Sequence, residues 1–340
     1  MRKLLIREPD DFHVHFRQGE LLREVSPVTA RQCARALVMP NTVPPIANPE
    51  DVRCYRGEIE EATSGMSFQP LMTFKLLNAT PADSVAALAR SGAVAGKLYP
   101  QGVTTHSEDG VTDLKAIYPV LEAMQGEGLV LSIHGEKPNA FCLDREIQFL
   151  EQLDGVVNDF PKLKISLEHI TTAAAVEFIL QAPGNVAATI TVHHLRLTLD
   201  DVIGDSIQPH HFCKPIPKRP TDLRALQRAA TGGSPKFFLG TDSAPHRIDQ
   251  KECASGCAGV FSAPVMMAAL SETFDQLDAL GQMEDFTSRF GAEFYGLSLN
   301  SGRLELVNES WLVPEKLGSF VPFCTGQELS WKAVGRVPLP

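Results

Sequence analysis

A rhythm limits the fold of this 340-residue chain more than any other feature: short apolar runs rich in β-formers return roughly every 30 residues, each followed by a stretch of helical character. The runs are Lys3–Ile6 leading to His13–Phe16, Ala36–Met39, Gln69–Phe74, Ala93–Leu98, Leu129–His134, Lys164–His169, Ala187–His193 and Phe237–Thr241. Helices are expected over Pro49–Ala62, Pro81–Ser91, Leu114–Glu127, Asp144–Phe160, Thr172–Gln181 and Pro264–Leu277, with the Thr171-Thr172 pair suited to capping the one that follows it. Eight strands alternating with helices predict an α/β chain folded as a (β/α)8 TIM barrel, whose catalytic groups collect at the C-terminal ends of the strands. A doubly wound open sheet is the competing layout, but no Gly-rich phosphate turn follows an early strand. One barrel domain over residues 1–340, with a C-terminal extension from about residue 298, suits this length.

Composition narrows the function. Hydrophobic residues make up 44% of the chain and aromatics only 7%, which suits helices layered on strands. The net charge of −10 comes from scattered acidic residues, and no dense basic face is offered to nucleic acid. Seven cysteines without framework spacing suggest a reduced, cytoplasmic protein. Leu4-Leu5-Ile6 is too short for a signal-peptide core, and no apolar run approaches a membrane span.

The chemistry lies at the strand ends. His13 and His15 close the first strand, Lys97 the fourth, His134 the fifth, His169 the sixth and Asp242 the eighth. Residues two apart on a strand share a face, so both imidazoles of His13-Val14-His15 can converge on one ion. Imidazole suits Zn, Fe, Ni and Co, and a carboxylate adds charge. An isolated HxH is a weak signal; together with the later strand ends it points to a metal site. A protonated Lys97 would be repelled by a cation, and lysines usually stay at the surface. Converted by carbon dioxide to a carbamate, it becomes an anion able to bridge two metals. Asp242 at the barrel mouth can bind a metal and take a proton from a water; the bland alternative is an N-cap for the next helix. One of His193 and His194 is expected to orient a ligand or touch substrate. Cys253 and Cys257 lack the second pair that a structural zinc site needs.

In their order along the chain, HVHFR (13–17), VMPNT (38–42), GKLYP (96–100), IHGE (133–136), EHITT (168–172), TVHHL (191–195) and GTDSAPH (240–246) closely resemble the dihydroorotase family, in its shorter single-function bacterial and fungal type within the amidohydrolase superfamily. The resemblance runs from about His13 to Pro264, and Glu293-Phe294-Tyr295-Gly296-Leu297 extends it. It implies two Zn2+ ions: His13, His15, carbamylated Lys97 (an N6-carboxylysine formed from carbon dioxide) and Asp242 on one, and Lys97, His134 and His169 on the other. It implies a bridging hydroxide that attacks the ring amide of dihydroorotate while Asp242 shuttles the proton. In reverse, N-carbamoyl-L-aspartate closes to L-dihydroorotate and water, a step of pyrimidine biosynthesis. Arg17, Asn41 and His246 match the groups that hold the substrate carboxylate, and backbone near Lys214 and Ala258 reads the ring amides. Tyr99–His106 resembles a mobile lid in which Thr104 and Thr105 close over substrate, with His194 as a further residue behind the site. Lys214 stands at a loop position often apolar in relatives. A homodimer is implied, with no nucleic-acid or membrane partner. The rival readings are another cyclic amidase, a hydantoinase or allantoinase, and a barrel kept without catalysis. Arg17, Asn41 and His246 argue against the first, and the full ligand set against the second.

Overall fold

The computed structural model describes residues 2–337. Its first strand, β1 (Lys3–Arg7), stands apart from the barrel. The barrel strands are β2 (Asp10–Val14), β3 (Arg35–Val38), β4 (Gln69–Lys75), β5 (Ala93–Leu98), β6 (Val130–Ile133), β7 (Lys164–Leu167), β8 (Val186–Ile190) and β9 (Phe237–Leu239), each parallel to the next in chain order. Outside them lie α1 (Gly19–Ala30), α2 (Pro49–Ala62), α3 (Val85–Arg90), α4 (Tyr118–Glu127), α5 (Arg145–Asp159), α6 (Ala173–Gln181), α7 (Asp200–Ile203), α8 (Pro220–Thr231), α9 (Ile248–Lys251), α10 (Met266–Gln276) and α11 (Phe290–Tyr295). This is the expected (β/α)8 barrel. The seam between β9 and β2 is closed just beyond the strand ends, where Val14 bridges Ser243, the His15 N–H donates to the Ser243 carbonyl at 3.0 Å and the Asp242 N–H to the His13 carbonyl at 2.8 Å.

The run Lys3–Ile6 does not lead into the first barrel strand. As β1 it pairs antiparallel with β10 (Arg303–Val307), which also pairs with β13 (Lys332–Val337); β11 (Trp311–Leu312) and β12 (Glu328–Leu329) form a second small ladder. Pro9, with no N–H to donate, separates β1 from β2. The expected strands ending at His134, His169, His193 and Thr241 stop earlier, at Ile133, Leu167, Ile190 and Leu239, so His134, His169 and Asp242 stand on loops at the barrel mouth, whereas His13 and Lys97 lie within β2 and β5. Pro81–Ser91 and Leu114–Glu127 each open with a short 3-10 turn before the helix.

Local signals explain where the helices start. Asn48 accepts from the Glu50 and Asp51 N–H groups at 2.9 and 3.0 Å, Asp51 accepts from the Asn48 N–H in return, and Pro49 opens α2. Thr172 caps α6 by accepting from the Ala175 N–H at 3.1 Å, a contact of a kind that stabilises by about 1 kcal/mol. Within the barrel, Phe12, Ala95, Val130, Ala187 and Phe238 belong to one apolar cluster. Its floor is the Phe294-Tyr295 pair: Tyr295 stacks on Phe12 at 4.8 Å and Phe294 lies 5.5 Å from Phe238. Gly291 lets α11 come this close, since a Cβ there would lie 2.2 Å from the Phe12 ring. Among the described residues no helix is long and apolar enough to cross a membrane.

Candidate metal centre and substrate cavity

The two-residue period of a strand lifts Lys97, Ser132 and Thr189 directly above that apolar layer, and the segments that continue β6 and β9 add His134 and Asp242. Lys97 lies two residues beyond Ala95, Ser132 and His134 two and four beyond Val130, Thr189 two beyond Ala187, and Asp242 four beyond Phe238. Glu168 forms the intervening polar layer. Its buried carboxylate accepts from Ser132 Oγ at 2.7 Å and Thr189 Oγ1 at 2.8 Å, and lies 2.9 Å from His13 Nδ1. That contact fixes the His13 ring and leaves Nε2 facing the cavity, 3.5 Å from Asp242 Oδ1; His15 Nε2 is 3.1 Å from the same oxygen. Donor atoms of His13, His15 and Asp242 all lie within 4.8 Å of one another. The His169 ring centroid is 4.9 Å from that of His13 and 4.7 Å from that of His134. His134 Nε2 is 2.7 Å from Glu136.

Burial sets the protonation of this cluster. It pushes His13, His15, His134 and His169 below the usual imidazole value, so they are neutral and hold lone pairs. Burial also pulls Lys97 down to about 8, which makes the free amine accessible near neutral pH. Burial pushes the Asp242 carboxyl up, but the hydrogen bond from His15 leads the opposing interactions, which hold the group down at about 2. Lys97 Nζ and His169 Nδ1 are buried with no hydrogen-bond partner among the described residues. Leaving such a group unsatisfied costs roughly 1–3 kcal/mol, so two of them beside converging imidazoles and a carboxylate fit a site built for a divalent metal.

The backbone at these positions is unusual. Arg17, His169 and Asp242 have φ of 59°, 42° and 44°, in the left-handed region. Asp and His visit it more readily than most residues, yet it still costs of order 1 kcal/mol each. Asp242 caps no helix; its left-handed turn aims the carboxylate back toward His13 and His15.

The cavity above the donors is lined by His13, His15, Arg17, Asn41, Thr104, Thr105, His134, His169, Lys214, Asp242 and Ala258, and it opens into a second pocket that adds His246. Lys97 lies fully buried beneath them. Arg17 Nε donates to the Pro245 carbonyl at 3.0 Å, and its Nη2 lies 2.9 Å from His246 Nε2. Burial and the Arg17 guanidinium push His246 down to about 2, so its ring is neutral. Asn41 Nδ2 donates to the Thr105 carbonyl at 3.1 Å, and His106 Nδ1 lies 3.1 Å from the Asn41 carbonyl. Lys75, buried at the end of β4, fastens the same loop from below: its ammonium donates to the His106 carbonyl at 2.8 Å and pairs with Asp109.

Sequence reasoning did not single out Glu168, Glu136, Lys75 or Lys251. The first two sit inside quoted motifs, where an acid beside a histidine was the available signal; buried lysines leave none. His194 lies off the cavity wall, with Nδ1 2.9 Å from Thr191 Oγ1 and Nε2 3.0 Å from the Pro215 carbonyl. It forms a buried group with Cys213 and His193, whose two ring nitrogens are unpartnered.

Comparison with known proteins places this architecture. No protein-family model matches the chain. It is 48% identical to the dihydroorotase of Teredinibacter turnerae over 97% of this chain and 98% of that one, and 46% identical to that of Pseudoalteromonas atlantica over 97% and 99%. Among solved structures, dihydroorotase from Saccharomyces cerevisiae, in complex with 5-fluoroorotic acid, superposes with a TM-score of 0.94 at 35% identity over all of both chains. Dihydroorotase from Campylobacter jejuni gives 0.90 at 37% identity over 98% of this chain and 97% of that one. An L-hydantoinase from Arthrobacter aurescens shares the fold, with a TM-score of 0.85 at 15% identity. With identities near one half across almost the full length of its relatives, the chain belongs to the dihydroorotase family, hydrolases of the amidohydrolase superfamily.

Proposed function

We propose that the chain interconverts N-carbamoyl-L-aspartate and L-dihydroorotate at this site, with two Zn2+ held by six side chains. The observation that carries the reading is the convergence of neutral imidazoles, the ionised Asp242 and the unpartnered Lys97 amine in one buried cluster. His13, His15 and Asp242 would hold one zinc, His134 and His169 the other, and a carbamate on Lys97 both. A free amine meeting carbon dioxide gives that carbamate and a proton, and the lowered Lys97 pKa supports it. Bound zinc lowers the pKa of water and polarises an amide carbonyl.

The remaining chemistry belongs to the chain. In ring opening, Asp242 accepts the proton of the attacking water and delivers it to the ring nitrogen as the C–N bond breaks. In closure the proton travels the opposite way. Arg17, with Asn41 and His246, holds the substrate carboxylate by charge-assisted hydrogen bonds. Backbone near Lys214 and Ala258 reads the ring amides. Thr104 and Thr105 close over the substrate and exclude water, with Lys75 holding their loop down. His194 supports the wall behind the site through the Pro215 carbonyl. The resemblance to the family also supports a homodimer acting in the cytoplasm.

Protein purified in zinc-containing buffer is expected to carry about two zinc ions per chain, to turn over dihydroorotate and carbamoyl aspartate, and to leave hydantoin and allantoin untouched. Absence of turnover with zinc bound would sink the reading. Arg17→Met is expected to raise KM for dihydroorotate roughly 10- to 150-fold with a smaller change in kcat, because a hydrogen bond to a charged group is worth ~1.5–3 kcal/mol. An unchanged KM removes Arg17 from the carboxylate site.

A further inference from the structure

Lys251 ends α9, five residues after His246, and is 2% exposed. Its ammonium forms no ion pair among the described residues. It donates instead to three backbone carbonyls: Phe212 at 3.0 Å, Cys257 at 2.8 Å and Gly259 at 2.7 Å. Burial pulls its pKa down to about 8. A buried cation without a carboxylate is expensive to keep, and the three carbonyls it holds flank the two segments that face the substrate cavity.

Those segments are drawn together at the same point. The Gly259 N–H donates to the Phe212 carbonyl at 2.9 Å. Gly259 has φ of 151°, and a Cβ there would lie 2.2 Å from the Ala244 carbonyl oxygen, so only glycine allows this approach. The Ala258 carbonyl lies 3.1 Å from His246 Nε2. Across a trans peptide the C=O and N–H point in opposite directions. Pulling the Cys257 carbonyl onto the ammonium therefore turns the Ala258 N–H away from it. That N–H has no acceptor among the described residues, and Ala258 lines the cavity.

We propose that Lys251 is a positioning residue for substrate recognition, clamping the Phe212–Lys214 and Cys257–Gly259 segments so that their backbone and His246 are presented to the ring of the substrate. The proposal rests on the reading of the cavity given above. Its reach differs from that of Arg17: Lys251 lies behind the wall and acts only through the backbone it holds.

The test is Lys251→Met, which keeps the aliphatic stem and removes the donors. KM for dihydroorotate is expected to rise at least 10-fold, kcat to change less than 3-fold, and the zinc content to stay the same. A lysine needed only for stability would lower the melting temperature or the active fraction and leave KM in place, and that result overturns the proposal. If Lys251→Met does not fold, Lys251→Gln replaces it, because its shorter, uncharged amide can serve at most two of the three carbonyls; an elevated KM supports the clamp and a wild-type KM overturns it. Calorimetric titration with orotate separates this from the reading of the function. If the wild type binds orotate but does not turn over dihydroorotate, the assigned reaction fails, while weaker orotate binding by the variant still supports the clamp and equal binding overturns it.

Discussion

Asp242→Asn is expected to lower kcat by about 10³-fold in both directions of the reaction, within the 10²–10⁴ range of general acid–base catalysis. The substitution is nearly isosteric, and asparagine tolerates the left-handed backbone that Asp242 adopts at φ of 44°. The Asp242 N–H bond to the His13 carbonyl is a main-chain contact and survives the change. What disappears is a group that is ionised well below neutral pH and able to accept a proton. Ring opening and closure pass through the same transition state, so both rates fall by the same factor. Steady-state assays in each direction, with circular dichroism and zinc content measured on the same sample, check this. A variant that keeps more than about a tenth of wild-type kcat with its metal in place contradicts the shuttle role.

Lys97→Ala is the second large effect. The Lys97 amine sits fully buried above Ala95, 5.0 Å from the centroid of the Tyr99 ring and without a hydrogen-bond partner. Truncation removes an unsatisfied polar group but opens a void, so the two effects on stability partly cancel. Activity, in contrast, is expected to fall by at least about 10³-fold, with less zinc retained, because the anion proposed to bridge the two metals would be lost. Acetate or propionate can enter the void and restore part of the rate. Restoration that saturates with acid concentration, alongside recovered zinc, is the expected result. Unchanged zinc content with no restoration by any short acid contradicts a bridging carbamate.

The barrel was legible because each buried strand is a short apolar run and most of these runs end at or beside a chemically distinctive residue such as His15, Lys97, His134, His169 or Asp242. Limits appeared wherever the deciding partner is remote. Lys3–Ile6 reads as the start of the first barrel strand, yet its partner β10 lies near the other end of the chain. The helix α1 holds Pro27 in its interior, a residue that normally argues against helix. Strand ends at His169 and Asp242 were placed too late because a left-handed turn leaves no mark on hydrophobic periodicity. The candidate donors could be grouped because histidine at successive strand ends is hard to explain by packing. Glu168, Lys75 and Lys251 were opaque for the opposite reason: buried charged residues look like surface residues until their partners are known.

The closure of β9 onto β2 has a consequence for how the protein is made. His13 and His15 emerge early in synthesis, whereas Asp242 follows the last barrel strand and meets them only when the ring shuts. Joining segments so far apart is slow, since the whole intervening chain loses freedom before the contact is rewarded. A growing polypeptide therefore displays imidazoles long before it owns the carboxylate that completes the set. A divalent ion that binds only the closed ring would act as a clasp, favouring the finished barrel by mass action over every unfinished one.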